Sequence, residues 1–83
     1  MAEDKFWNDK ANKLLQGKTI RECRYMTKKE ADAQYWSSRP VVIIFTDGTY
    51  MYPMSDDEGN DGGSISMGSF KDKKFDEGLP VLS

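Results

Sequence analysis

The chain carries two kinds of hydrophobic pattern in succession, and their order predicts a small mixed domain. Phe6, Trp7, Ala11, Leu14 and Leu15 recur at helical spacing, with Lys5, Asp9, Asn12, Lys13 and Gln16 on the opposite face. That stripe predicts a helix over residues 4–16, docked on a sheet through Phe6 and Trp7. Gly17 suits the left-handed position that closes a helix. From Lys18 to Met26, β-branched and aromatic residues predict a strand. Its alternation is imperfect: Ile20 falls on one face, Cys23 and Tyr25 on the other, which a β-bulge would explain. Cys23 is expected to be a small buried hydrophobe.

Thr27-Lys28-Lys29-Glu30 has the form of a capping box, a threonine cap with glutamate three residues later. It predicts a short helix from about Lys28 to Tyr35 or Trp36, with Ala31 and Tyr35 one turn apart. Arg39-Pro40 ends that helix and forces extended backbone into the next segment. Val41 to Met54 reads as a hairpin around Asp47-Gly48, a dipeptide suited to a two-residue type I′ turn. That turn sets Thr46 opposite Thr49 and Phe45 opposite Tyr50. One face then holds Val41, Ile43, Phe45, Tyr50, Tyr52 and Met54; the other holds Val42, Ile44, Met51 and Pro53. Both faces are apolar, which predicts a central hairpin. Pro53 has no N–H to give a ladder, so pairing should fail or reach an edge there.

Residues 55–64 are a loop by every local criterion. A short strand is expected near residues 65–67. Residues 71–77 are charged and expected at the surface, and Leu79-Pro80-Val81-Leu82 is an apolar tail expected to lie against the core. The predicted fold class is α+β: one domain over residues 1–83, with a small twisted antiparallel sheet carrying one or two helices. An SH3-like half-barrel is one form such a sheet can take.

Composition narrows the chemistry. Of 83 residues, 37% are hydrophobic and 31% charged, with a formal net charge of −2. A chain this short buries a thin core, which argues against a large enclosed active-site cavity. The charge balance gives no general attraction to nucleic acid or anionic membrane. Residues 1–40 carry nine basic and six acidic groups; residues 41–83 carry three and eight. No histidine occurs and Cys23 is the single cysteine, which removes Ser–His and Cys–His chemistry, internal disulfides and ordinary structural zinc sites. With no apolar run of membrane-spanning length and no secretory pattern in residues 1–5, the expected location is cytoplasmic. Catalysis would need two carboxylates held in a cleft, which nothing in the sequence indicates. The expectation is a protein that is not an enzyme.

Two motifs bear on function. Gly17-Lys18-Thr19 resembles the end of a P-loop, but Asn12 stands where the first glycine belongs, and the triplet follows a helix instead of opening one. The segment Asp56-Asp57-Glu58-Gly59-Asn60-Asp61-Gly62-Gly63 packs four carboxylates into six residues, whose mutual repulsion is more than an ordinary turn requires. Oxygen-rich loops suit Ca²⁺ or Mg²⁺, yet EF-hand spacing fails, since the twelfth position counted from Asp57 is Gly68. Any metal would fall to Asp57 and Asp61; no cofactor is otherwise expected. An exposed, glycine-shaped turn accounts for the same residues without any ligand.

The run Gly17-Lys-Thr-Ile, Arg24-Tyr-Met-Thr-Lys-Lys-Glu-Ala, Trp36, Arg39-Pro-Val-Val-Ile, Asp47-Gly-Thr, Tyr52-Pro and Asp56 to Gly63 resembles a small uncharacterised family of bacterial and phage proteins. Members share the Asp-Asp-Glu-Gly-Asn-Asp-Gly-Gly loop after a DGT hairpin, and many end in a tail similar to residues 79–82. The resemblance covers roughly residues 17–68 and that tail. It implies a phage or bacterial accessory protein.

The leading functional reading is a non-catalytic interaction module. Asp56, Asp57, Glu58, Asn60 and Asp61, with Trp36, would recognise a host or cellular protein through a basic surface. A divalent-cation loop with a structural role is the second reading. The third is single-stranded nucleic-acid binding, with Tyr35, Trp36, Tyr50, Tyr52 and Phe70 stacking bases beside Lys28, Lys29 and Arg39. A homodimer, formed through the N-terminal helix or an edge strand, would let so small a core bury more surface.

Overall fold

The computed structural model describes residues 2–54 and 63–82. The order is α1 (Ala2–Leu15), β1 (Ile20–Tyr25), α2 (Lys28–Ala33), β2 (Val41–Phe45), β3 (Thr49–Pro53), β4 (Ile65–Ser69) and β5 (Asp76–Leu79). The five strands form one antiparallel sheet in the order β1-β2-β3-β4-β5, an open meander with β2, β3 and β4 inside. The α+β class is as the sequence predicts, and the hairpin is central.

Partners across an antiparallel ladder share a face, so the register assigns each side chain to a side. Ile44 lies opposite Tyr50, and Ile43 opposite Met51. Val42 and Ile44 therefore share a face with Tyr50 and Tyr52. Met26 and Ala31 join them there in the buried core, with Trp36, Tyr50 and Tyr52 packed around it. The other face carries Ile43, Phe45, Met51 and Met67, of which Phe45 and Met67 are buried. Met67 lies opposite Glu77 of β5, and Lys10 of α1 reaches Glu77 at 3.3 Å, tying the first helix to this face.

Several expectations are corrected. The β2–β3 connection is a three-residue loop, residues 46–48, closed by Gly48 N–H donating to Phe45 O at 3.1 Å. Gly48 is left-handed (φ +89°) but Asp47 is not, so the turn is not type I′. The reason lies in the partners of Asp47. The Asp47 carboxylate accepts from Thr49 N–H at 2.9 Å and pairs with Lys18, which fixes an Asx turn without a left-handed aspartate. A one-residue slip in register exchanges faces. Tyr50 and Tyr52 consequently share a side with Val42 and Ile44, where the two-residue turn would have matched them to Ile43 and Phe45.

Cys23 is exposed, not buried, because β1 is an edge strand open at five of its six positions. The expected irregularity of β1 is present as a shift in register between Ile20 and Glu22. Phe6 is 59% exposed and meets the Trp7 ring edge-on at 5.1 Å instead of docking on the sheet. Trp7 is the half-buried member of the pair, and Phe6 stands at the open margin of the stripe. Of the tail, Leu79 is buried as the last residue of β5, while Val81 and Leu82 are exposed. Pro53 is the last residue of β3, and it pairs with Ile65 of β4 before the ladder closes at Met54 and Ser64. No helix among the described residues is long and apolar enough to cross a membrane.

Candidate functional site

Two features converge at one end of the sheet: the C-terminus of α2 and the end of β3. The capping box forms as the sequence predicts, Glu30 N–H donating to Thr27 Oγ1 at 3.1 Å and Thr27 N–H to Glu30 Oε1 at 2.8 Å. Arg24 grips the same carboxylate with both terminal nitrogens, at 2.9 and 3.0 Å. That guanidinium, helped by the Thr27 N–H, holds the Glu30 carboxyl down at about 2. The short helix is thereby anchored to β1.

The helix ends at Ala33, short of the Tyr35 or Trp36 expected from sequence. Tyr35 N–H donates to Asp32 O at 3.0 Å and Trp36 N–H to Ala31 O at 2.9 Å, the paired bonds of a Schellman motif. The position between helix and exit, usually glycine, is Tyr35, with φ +62° and 97% exposure. Ala31 and Tyr35 are therefore not stacked one turn apart. Trp36 instead turns back onto the core around Ala31, as the apolar contact of this motif requires.

An open groove of about 500 Å³ lies beside this turn, lined among others by Tyr35, Trp36, Arg39, Pro40, Pro53 and Met54. Met54 N–H donates to Ser64 O at 2.7 Å, so the stem of the acidic segment begins at the groove wall. Asp56, Asp57, Glu58, Asn60 and Asp61 themselves lie outside the described residues. The predicted metal pair, Asp57 and Asp61, is outside them too. Among the described residues, no group of three or more His, Cys, Asp or Glu could hold a metal ion.

The aromatics named from sequence do assemble, Tyr35 excepted. Trp36 meets Tyr52 edge-on at 5.9 Å, Tyr52 lies near-parallel to Tyr50 at 6.2 Å, and Tyr50 meets Phe70 at 4.7 Å. The row exists because Gly68 sits under Tyr50. A Cβ there would fall 2.5 Å from the phenol oxygen. Burial pushes the Tyr50 phenol above its usual range, and the charges of Glu30 and Asp76 add to the rise. A smaller cleft of about 190 Å³ opens over this row, bounded by Arg24, Glu30, Gln34 and Phe70 among others. Lys28 and Lys29 are exposed on α2, and Arg39 lines the larger groove.

Of the partner-binding residues expected from sequence, Trp36 alone falls among the described residues. Sequence reasoning missed Tyr35 as a turn residue and the pairing of Arg24 with Glu30. The first leaves no local signal, because tyrosine is a poor left-handed residue. The second was within reach, since Arg24 and Glu30 are opposite charges only six residues apart across the turn from β1 to α2. No family model matches the chain, and no curated protein or solved structure is significantly similar to it.

Proposed function

We propose that the protein is a non-catalytic interaction module that binds a partner protein in the groove of Tyr35, Trp36, Arg39, Pro53 and Met54. The acidic segment that follows Met54 in the sequence supplies the charge that selects a basic partner surface. One observation carries the reading. A bulky tyrosine occupies a left-handed position that costs about 1–2 kcal/mol for a residue with a Cβ, and its side chain is 97% exposed. Strain of this kind persists where the surrounding structure imposes it, and such positions cluster at functional sites. A fully exposed ring contributes almost nothing to the core, so packing does not explain its presence.

The groove is open, suited to an extended segment of chain more than to an enclosed small molecule. Tyrosine and tryptophan are the residue types that most often anchor protein interfaces, and methionine and arginine are also enriched there. The resemblance to bacterial and phage proteins directs the search to a bacterial lysate. Immobilised wild-type protein should retain a partner that salt elutes. Tyr35→Gly, which relieves backbone strain, should lose it while staying folded, and Asp57→Asn with Asp61→Asn should weaken retention. Identical retention by all of these variants would refute the reading.

The row Trp36–Tyr52–Tyr50–Phe70 favours one other reading, stacking of single-stranded bases on a sheet face. Titration with an oligothymidine would then quench tryptophan fluorescence in a salt-dependent way. A divalent-cation loop would instead show itself as a rise in melting temperature with millimolar Ca²⁺ or Mg²⁺, abolished by chelator.

A further inference from the structure

We propose that the open edge of β1 is a self-association site, at which two copies pair their β1 strands antiparallel about Cys23 and join two sheets into one. β1 pairs with β2 on one side, and no described strand lies on its other side. It is exposed at five of six positions and presents Ile20 and Tyr25, 55% and 67% exposed, at that edge.

The backbone decides which groups are free. Met26 N–H donates to Pro40 O at 2.8 Å, one step beyond the Tyr25–Val41 pair. Hydrogen-bonded and non-bonded pairs alternate along an antiparallel ladder. Arg24 and Glu22 therefore turn their N–H and C=O toward β2, whereas Cys23 and Tyr25 turn theirs outward. Consistent with this, Tyr25 O accepts from the Arg24 side chain at 3.2 Å instead of from a strand.

A two-fold antiparallel pairing must be centred on one residue, and three centres keep most of β1 paired. Centred on Glu22, the two glutamates oppose each other. Centred on Arg24, the two arginines do. Like charges directly opposite destabilise a strand pair. Centred on Cys23, Glu22 of each copy lies opposite Arg24 of the other, twice by symmetry. Only this register sets opposite charges against each other, with Glu22 joining an arginine that already holds Glu30 of its own chain, and it also makes Cys23 N–H and O of the two copies exchange hydrogen bonds. The bulge between Ile20 and Glu22 limits the regular edge to a few residues. The association is accordingly of the weak, concentration-dependent class.

Sedimentation of the full chain from ~10 µM to ~1 mM should show a monomer–dimer equilibrium that high salt weakens. A short bismaleimide should link Cys23 to Cys23 of the second copy. Glu22→Arg, on an exposed side chain, should leave the melting temperature nearly unchanged and cut the cross-linked fraction at least tenfold. Tyr25→Pro removes an outward N–H and should do the same, which guards against a single misleading variant. A monomer at every concentration overturns the proposal. So does a dimer that ignores Glu22→Arg and is not linked through Cys23, which would place the contact elsewhere, α1 included.

Discussion

Among the described residues three are left-handed, Gly17, Tyr35 and Gly48, and the two at the reversals of the central hairpin and the short helix differ in what occupies the position. At the β2–β3 loop the residue is Gly48; at the end of α2 it is Tyr35. The loop at Gly48 satisfies every local demand. Glycine carries the positive φ, Asp47 accepts from Thr49 N–H and Oγ1–H, and Lys18 adds charge and donates to Thr49 Oγ1 at 3.0 Å. Its neighbours are engaged as well, Phe70 N–H donating to Gly48 O at 2.9 Å. The reversal at Tyr35 is equally well bonded along its backbone but has the wrong residue at its hinge, and that residue points to solvent. A turn built only for stability would resemble the first. The contrast locates, among the described residues, the one non-glycine residue held left-handed, beside an open groove.

Breaking the well-formed turn should have the largest effect. Gly48→Val forces a β-branched residue into φ +89°, and its Cβ would meet the Lys71 side chain at 2.9 Å. The lysine can move, so backbone strain dominates, and the loss should be about 2 kcal/mol, read as a fall in denaturation midpoint. A midpoint equal to wild type would mean that Gly48 is not held left-handed.

The carboxylates at the two reversals should separate by pH. Glu30, lowered to about 2 chiefly by Arg24, and Asp47, held below its usual range chiefly by Lys18, both favour the folded state when ionised. A depressed carboxylate stabilises above its unfolded pKa and loses that contribution as pH falls through the folded value. For Glu30 the loss should begin near pH 4.5 and continue to about pH 2. Both side chains are more than a third exposed, so after solvent screening each is worth only about 1 kcal/mol. Urea midpoints measured from pH 6 to pH 2 should fall, and Glu30→Gln should flatten the part of the fall between pH 4.5 and about pH 2. Asp47→Asn keeps an acceptor for Thr49 N–H and should lose less than Glu30→Gln at pH 7. An unchanged acid slope in both variants would remove the ion pairs from the account of stability.

These two regions also show what a sequence discloses. The capping box was legible because Thr27 and Glu30 act within four residues of chain. The existence of the Asp47-Gly48 reversal was legible for the same reason. Its length was not, since choosing between two and three loop residues depends on Lys18, which is distant in sequence and arrives with β1. The burial of Cys23 was misjudged because strand order, not residue type, decides which strand is an edge. Of the candidate site, the aromatic set was legible and its arrangement was not: the row depends on Gly68, where the absence of a side chain leaves room for Tyr50. Tyr35 was unreadable in principle, because it contradicts the propensity that a local reading uses.

The smallest expected effect sharpens the comparison most. Tyr35→Gly places the usual residue at the left-handed position of a Schellman motif whose two backbone bonds already exist. Relief of the left-handed strain should exceed the added flexibility of the unfolded chain, for a net gain of about 0.5–1 kcal/mol in stability. With 97% of the side chain exposed, little packing is lost in exchange. Tyr35→Ala separates the two effects, since it removes the ring and keeps the Cβ; its stability should stay within about 0.5 kcal/mol of wild type. If the ring is retained for binding, both variants should lose the partner equally while only glycine raises the melting temperature. If Tyr35→Gly instead lowers it, the tyrosine supports the fold, and the difference between the two reversals is one of packing alone.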